Sequence, residues 1–133
     1  ELHAVIGIEQ IEHLDKYIEI RNENHKKYLK IISAISDKLY LIDNEGISSF
    51  CLPFIFKDKK DKINMEKACV NASIEIRPII SGNLLHQPCF SKYGNASEFE
   101  NAQILHENGF YIGNNQFVND DKLALLSDII SHI

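Results

Sequence analysis

The residues best suited to chemistry lie in one short segment, Ile74 to Pro88. Its first half is apolar and strand-like, and it carries Arg77, one of only two arginines in the chain. A guanidinium offers a planar fork of donors that matches a carboxylate or a phosphate. Because an unpaired buried charge is costly, Arg77 must face an open surface or have a partner. We therefore predict that Arg77 binds an anion; the alternative is an ion pair with an acidic surface neighbour.

The stretch after this strand, residues 81–94, has no apolar periodicity and is predicted to be a loop. Gly82 allows the backbone to approach a ligand closely. Asn83, His86 and Gln87 add neutral donors and acceptors suited to sugar hydroxyls, carbonyls or the edge of a base. Long loops on rigid strands often carry functional residues, so we predict a ligand-binding loop. An ordinary polar loop is the alternative.

Other chemical patterns in the chain are weaker. His86 and Cys89 are metal-ligand types, but two such residues do not complete a four-ligand site, and we predict no metal. Cys51 and Cys69 lie in apolar patterns typical of a core. We find no P-loop, dinucleotide fingerprint, nucleophile elbow or pair of catalytic carboxylates in the sequence. We therefore assign no catalytic residue to this chain.

Length and composition limit the class of protein. The chain has 133 residues, 44% of them hydrophobic and 25% charged, which suits one globular domain. A net charge of −5 argues against a general nucleic-acid binder, and without an apolar run of membrane-spanning length we predict no membrane segment. Three cysteines without close pairing and no signal-peptide pattern favour a cytoplasmic location.

The first third of the chain has helical periodicity. Apolar residues from Ala4 to Ile35 predict one long helix over residues 3–36, with Asn22–Asn24 as the place where it would break. Such a helix would be about 50 Å long, which is more than the width of a small domain. We therefore expect it to link to a large domain outside this chain. Two packed helices are the alternative. The predicted division is therefore a linking helix, 1–36, and a small α+β domain, 37–133.

Apolar runs also predict the strands, which are residues 39–42, 48–56, 73–80 and 110–112. Asp43 to Gly46 is predicted as a turn after the first run. Pro53 has no N–H to donate, so the strand that contains it should lie at an edge or form a bulge.

Three more helices are predicted, over residues 61–72, over 96–107 and after Asp120. Their expected N-caps are Asp61, a capping box from Asn95 to Glu98, and Asp120 with Asp121. Asn108-Gly109 is predicted as a left-handed stop. In the last helix, the residues expected to face inward are Leu123, Leu126 and Ile130. The whole pattern predicts an α+β fold, in which a small mainly antiparallel sheet has helices packed on one face and a long N-terminal helix.

Two motifs resemble the DegT-type, PLP-dependent sugar-nucleotide aminotransferases. The first is the helix sequence from Ala4 to Asp15, followed by Arg21. The second is the segment from Ile74 to Pro88, with its Arg-Pro, Gly-Asn and Gln-Pro pairs in order. This segment is similar to the branch acting on 4-keto-6-deoxyhexoses, which includes 3-dehydratases and perosamine-type aminotransferases. Residues 108–115 and the closing helix also fit, so the resemblance covers nearly the whole chain.

The resemblance implies the C-terminal small domain of a fold type I PLP enzyme. The large domain would hold the cofactor, and the active site would form at a homodimer interface. The small domain would help to bind a nucleotide-linked sugar and close the site, with Arg77, Asn83, His86 and Gln87 on the substrate side. Members of this branch often have Arg where His86 stands. The expected pathway is polysaccharide or lipopolysaccharide sugar biosynthesis, and amino transfer and 3-dehydration both stay open because the deciding residue lies elsewhere.

The lysines argue against chemistry by this chain alone. All twelve lie on charged helix faces or loops, and none has the small-residue pocket that would desolvate an amine. We therefore expect that the chain alone neither binds PLP nor turns over substrate. The alternative function is a non-catalytic α+β interaction module, whose first helix is a docking surface and whose Arg77 forms a structural ion pair.

Overall fold

The computed structural model describes residues 1–42 and 49–133. Their helices and strands are, in chain order, α1 (Leu2–Ile11), α2 (Leu14–Ile32), β1 (Cys51–Ile55), α3 (Lys59–Asn71), β2 (Ile76–Pro78), α4 (Glu100–Asn108), β3 (Gly109–Gly113) and α5 (Asp120–Ser131). A 3₁₀ segment, Ser33–Lys38, follows α2. Three short 3₁₀ turns lie between β2 and α4, at Leu84–His86, Ser91–Tyr93 and Ala96–Glu98.

The three strands of the described residues form one antiparallel sheet in the order β1-β3-β2. β3 is central, and it places Ile112 opposite Leu52 of β1 and Tyr111 opposite Arg77 of β2. Pro53 therefore lies on an edge strand, as predicted, where its missing N–H leaves no gap in the sheet. The α+β architecture predicted from the sequence is confirmed.

Aromatic rings from the sheet form the centre of the core. Phe54, Phe56 and Phe110 are stacked, with 5.1 Å between the ring centroids of Phe54 and Phe110. Tyr28 of α2 meets Phe54 edge-on at 5.5 Å, and its hydroxyl donates to the carbonyl of Pro53. The predicted inward face of α5 is confirmed, because its buried residues are Leu123, Leu126 and Ile130.

The N-terminal segment is helical, but it is not one helix over 3–36. The break falls at Glu12 and His13, not near Asn22–Asn24, where α2 is continuous. At the break the His13 N–H bonds to the Gln10 carbonyl at 3.2 Å, three residues back instead of four. α2 belongs to the core through Tyr28, whereas no residue of α1 is buried.

Two predicted N-caps are wrong by one to three residues. The carboxylate of Asp58, not of Asp61, caps α3 by accepting from the Lys60 N–H at 2.6 Å. Asn119 caps α5 in the same way. Asp120 and Asp121 lie in the first turn of α5 instead, where a negative charge favours the helix dipole.

The segment around α4 also differs from its prediction. Asn95 caps the short 3₁₀ turn Ala96–Glu98, and the chain leaves helical geometry at Phe99 before α4 begins. Gly109 is extended (φ −106°), so it is not a left-handed stop and begins β3 directly. A glycine is required there for space, since a Cβ would lie 2.6 Å from the Leu105 carbonyl oxygen.

Three predicted strands are shorter than expected or absent, and β1 covers Cys51–Ile55 of the predicted 48–56. Residues 39–42 form no strand, and only Leu39 bridges to Phe56. β2 covers three residues of the predicted 73–80, because it pairs with β3 only over Ile76–Pro78. The turn predicted at Asp43–Gly46 lies outside the described residues, as does Ile47-Ser48.

Asn114, a buried residue just after β3, links helix α2 to the segment before β1. Asn114 is 2% exposed, and its side-chain amide donates to the carbonyls of Arg21 at 3.0 Å and Ser49 at 2.9 Å. Its side-chain oxygen accepts from Asn24 at 3.4 Å. Asn24 also donates to the Val118 carbonyl at 3.1 Å, so this pair of amides ties α2 to the loop before α5.

We predict that Asn114→Ala lowers the free energy of unfolding by about 2–3 kcal/mol, because it removes two buried hydrogen bonds, one to the Ser49 carbonyl and one from Asn24. The measurement is urea unfolding of the purified chain followed by circular dichroism. Asn101→Ala is the matched control, since this asparagine is exposed on α4, and a change below about 0.5 kcal/mol is expected. Equal losses in both variants would contradict the structural role of Asn114.

Candidate functional site

Arg77 lies on the exposed outer edge of the sheet. Its Nε and Nη2 atoms donate to Glu75 Oε1 at 3.0 and 2.5 Å. The two side chains are 64% and 75% exposed, so the alternative from the sequence, an ion pair with an acidic surface neighbour, describes this structure. An exposed pair of this kind contributes at most about 1 kcal/mol. Because this ion pair adds so little stability, the Arg77 guanidinium can release Glu75 and bind a stronger external anion.

The chain turns sharply after β2. Ser81 and Gly82 both have left-handed backbone angles, with φ of 64° and 52°. The Gly82 N–H bonds to the Ile79 carbonyl at 3.0 Å, which closes the turn. A Cβ on Gly82 would lie 2.3 Å from Nδ1 of His106. Gly82 is therefore required both for its backbone angle and for the close approach of helix α4.

The Asn83 side chain points into the protein. It is 2% exposed, and its amide nitrogen donates to the Ala96 carbonyl at 2.9 Å and to Gln103 Oε1 at 3.1 Å. Its oxygen accepts from the Leu85 N–H at 3.2 Å. These bonds use the side chain to hold the loop, so its predicted contact with substrate stays a prediction, and the geometry favours a positioning role.

His86 is exposed and rests against α4. Its ring stacks on that of His106, with 4.6 Å between centroids and 26° between planes. Its Nε2 atom lies 2.8 Å from Gln103 Oε1. The structure thus brings two of the predicted site residues, Asn83 and His86, to one oxygen atom of Gln103.

Sequence analysis missed Gln103 and His106. They lie three residues apart on α4, and residues at that spacing share one face of a helix. This spacing was the available signal, but only the structure shows that the face meets the loop.

A second hydrogen bond fixes Gln103 from its other side. The Gln103 amide nitrogen donates to Glu107 Oε1 at 2.6 Å, and Glu107 Oε2 lies 3.3 Å from the Lys59 ammonium. The hydrogen bond from Gln103 and then the Lys59 charge lower the pKa of the Glu107 carboxyl. Glu107 is therefore a charged acceptor, which links α4 to the start of α3.

Gln87 and the following residues form the outer part of the loop. The Gln87 side chain is exposed, while its backbone carbonyl accepts from Phe90 and Ser91 at 2.9 and 3.1 Å. An open hollow of about 640 Å³ lies beside this segment, and apolar and aromatic side chains line most of it. In the described residues, no hydrogen bond joins Arg77 to this loop cluster, so the structure leaves Arg77 as a separate group on β2.

The lysines do not fit a site that would hold PLP. None of the twelve is buried. The two that are half-buried, Lys38 and Lys62, pair with Asp61 and Glu66. Over residues 1–42 and 49–133, no three His, Cys, Asp or Glu side chains are grouped to hold a metal ion. No helix in those ranges is long and apolar enough to cross a membrane.

These features define a small α+β domain with an exposed arginine on its edge strand and a polar loop that is hydrogen-bonded to α4. The sequence agrees with one family in particular. Residues 1–130 match the model of the DegT/DnrJ/EryC1/StrS aminotransferase family, and the chain belongs to this family.

Several relatives are enzymes of nucleotide-sugar metabolism. The chain is 32% identical, over 138 residues, to a GDP-4-keto-6-deoxy-D-mannose 3-dehydratase of Escherichia coli O55:H7; the match covers 98% of this chain and 35% of that protein. A solved E. coli 3-dehydratase with bound hydrated PLP is 28% identical, with a TM-score of 0.78 over 94% of this chain and 33% of that chain. A 3-dehydratase variant with bound GDP-perosamine is also 28% identical, with a TM-score of 0.77 over 94% of this chain and 34% of that chain.

The chain spans about a third of the length of the curated relatives that it matches. The resemblance inferred from the two sequence motifs is confirmed at the level of the family. One of these relatives holds hydrated PLP and another holds GDP-perosamine, which agrees with the cofactor and the nucleotide-linked sugar that the resemblance implies.

We predict that Gly82→Ala lowers the free energy of unfolding by about 1–2 kcal/mol, because a Cβ is strained at φ 52° and also forces His106 away. Urea unfolding measures the change. Gly113→Ala is the matched control, since nothing lies within 4 Å of a Cβ there, and its effect should stay below about 0.5 kcal/mol. The interpretation is wrong if the control loses as much stability as Gly82→Ala.

Proposed function

We propose that this chain is the substrate-side small domain of a PLP-dependent enzyme that acts on a nucleotide-linked 4-keto-6-deoxy sugar. The observation that carries the proposal is the family match over residues 1–130 in a chain that spans only a third of its curated relatives. The full-length protein then transfers an amino group to the sugar or removes its 3-hydroxyl. Similarity to 3-dehydratases supports the second reaction, and the GDP-perosamine bound to one of them supports a guanosine diphosphate sugar.

The proposed role of the domain is to orient the substrate and exclude water, which contributes proximity and not bond-making. Arg77 exchanges Glu75 for a phosphate or another anionic group, because an exposed ion pair gives way to a more highly charged partner. His86 and Gln87 are exposed and bind sugar hydroxyls. Asn83 is buried, and it acts by holding the loop in place.

Helix α1 supports the proposed link to a large domain. None of its residues is buried, although many of them are apolar. Leu2, Val5 and Ile8 are 76%, 67% and 66% exposed. Burial of such apolar area is favourable by about 25 cal/mol per Å², so α1 gains stability by packing on a further domain. We include in this proposal a domain division near residue 36, a homodimer of the full-length protein, a cytoplasmic location and a role in polysaccharide or lipopolysaccharide sugar synthesis.

The alternative, an interaction module without ligand, has two observations in its favour. Arg77 is already paired with Glu75, and α1 is an apolar surface without a partner among the described residues. Family membership weighs against it, and substrate kinetics of the full-length protein decide between the two.

We predict that Arg77→Ala in the full-length enzyme raises the KM for the nucleotide sugar about 10- to 100-fold with little change in kcat. The physical reason is that a hydrogen bond to a charged group contributes about 1.5–3 kcal/mol, and every 1.4 kcal/mol is a factor of ten. Steady-state kinetics provide the measurement. Glu75→Gln is the matched control: it removes the internal competitor, so its KM should stay unchanged or fall. Unchanged kinetics of Arg77→Ala would refute the assignment of Arg77.

We also predict that the 133-residue chain forms no stoichiometric aldimine with PLP, because none of its lysines is buried. The test is an absorbance titration with PLP, followed by borohydride reduction and peptide mass spectrometry. N-acetyl-lysine methyl ester serves as the control for weak reaction at exposed amines. A saturable one-to-one band that borohydride fixes to a single lysine would contradict this prediction.

A further inference from the structure

We propose that Gln103 is a positioning residue that holds His86 in the tautomer with its hydrogen on Nε2, so that Nδ1 offers a lone pair to a hydroxyl group of the sugar. The identity of the ligand rests on the proposed function. The assignment of the tautomer rests only on the hydrogen bonds of this chain.

The orientation of the Gln103 amide follows from Glu107. An ionised carboxylate accepts hydrogen bonds and cannot donate them. Glu107 Oε1 lies 2.6 Å from one end of the Gln103 amide, and Lys59 holds the other carboxylate oxygen at 3.3 Å. The amide NH₂ group of Gln103 therefore faces Glu107, and its oxygen faces the loop.

Asn83 gives the same orientation independently. The Asn83 oxygen accepts from the Leu85 N–H, and its NH₂ group donates to the Ala96 carbonyl. The second hydrogen of that NH₂ group points to Gln103, at 3.1 Å. The atom of Gln103 that meets the loop must therefore be an acceptor, which is its oxygen.

The tautomer of His86 follows from this acceptor. Its Nε2 atom lies 2.8 Å from the Gln103 oxygen, so a hydrogen bond between them requires hydrogen on Nε2. A neutral imidazole carries one hydrogen, which leaves Nδ1 as an acceptor. In the described part of the chain, His86 Nδ1 has no hydrogen-bond partner, and the residue is exposed.

His106 keeps the ring in this position. The two imidazoles stack at 4.6 Å, and the absence of a Cβ on Gly82 gives the His106 ring its place. His106 therefore covers one face of the His86 ring, and Gln103 binds its Nε2 atom. The Nδ1 atom lies on the part of the ring that is directed away from Gln103. A lone pair fixed in this way accepts a hydrogen bond from a hydroxyl, whereas an arginine or lysine at the same position would only donate.

Nitrogen NMR of the histidine-labelled chain tests the tautomer without substrate or cofactor. Long-range proton–nitrogen spectra at pH 8.5, about two units above the ordinary imidazole pKa, distinguish the two ring nitrogens. We expect a larger Nε2–H fraction at His86 than at His3 of α1. We expect it to fall to the His3 value in Gln103→Leu. We expect it to be restored in the double variant Gln103→Glu, Glu107→Gln, in which the exchanged carboxylate still accepts from His86 and the exchanged amide donates to that carboxylate.

Three results would overturn the proposal: hydrogen on Nδ1 of His86, a tautomer ratio no different from that of His3, or a ratio that Gln103→Leu leaves unchanged. Backbone amide spectra of the variants check that each one folds. In the full-length enzyme, Gln103→Leu should raise the KM for the nucleotide sugar by up to about tenfold, as for one neutral hydrogen bond. An unchanged KM overturns the hydroxyl contact alone, and a full-length enzyme that does not use nucleotide sugars overturns the proposed function but not the tautomer.

Discussion

The arrangement of the candidate site depends on one constraint, the burial of the Asn83 amide beneath its own loop. The connection from β2 to α4 contains only short 3₁₀ turns, and its backbone hydrogen bonds are local, each joining residues three or four apart. Asn83 adds three side-chain bonds, of which one reaches Gln103 on α4. Because an unpaired buried amide is costly, the loop cannot leave α4 without losing the bond from Asn83 to Gln103.

This constraint divides the residues of one sequence motif into two kinds. Gly82 and Asn83 are turned inward, where they fix the backbone angle and the packing of the loop on α4. Arg77, His86 and Gln87 are exposed and can meet a ligand. A motif match alone treats these five residues alike, yet only Arg77, His86 and Gln87 have exposed side chains. Gly82 and Asn83 fix the position of the loop and therefore of its exposed side chains. Supporting residues usually position a binding site in this way.

The sequence predicted the parts of the fold that depend on periodicity, and it failed where a single local contact decides. The inward face of α5 and the edge position of Pro53 follow from spacing and from a missing donor, and both are confirmed. Caps depend on which of several neighbouring acidic or amide side chains reaches an N–H, so the sequence pattern predicts Asp61 as the cap of α3, whereas Asp58 caps it. Gln103 could not be found at all, because its role arises from a contact across 17 to 20 residues of loop.

The exposure of Arg77 can be reconciled with a binding role on energetic grounds. A guanidinium that is 64% exposed and paired with a carboxylate that is 75% exposed loses little when the pair opens, since water solvates both groups. The same guanidinium gains more from an anion once another domain covers it and lowers the local dielectric, because the charge interaction then strengthens several-fold. For the proposed anion contact of Arg77, we therefore expect weaker binding on the domain alone than in an assembly that closes over it. The apolar, unburied α1 belongs to the same argument, because it provides a surface on which such an assembly can form.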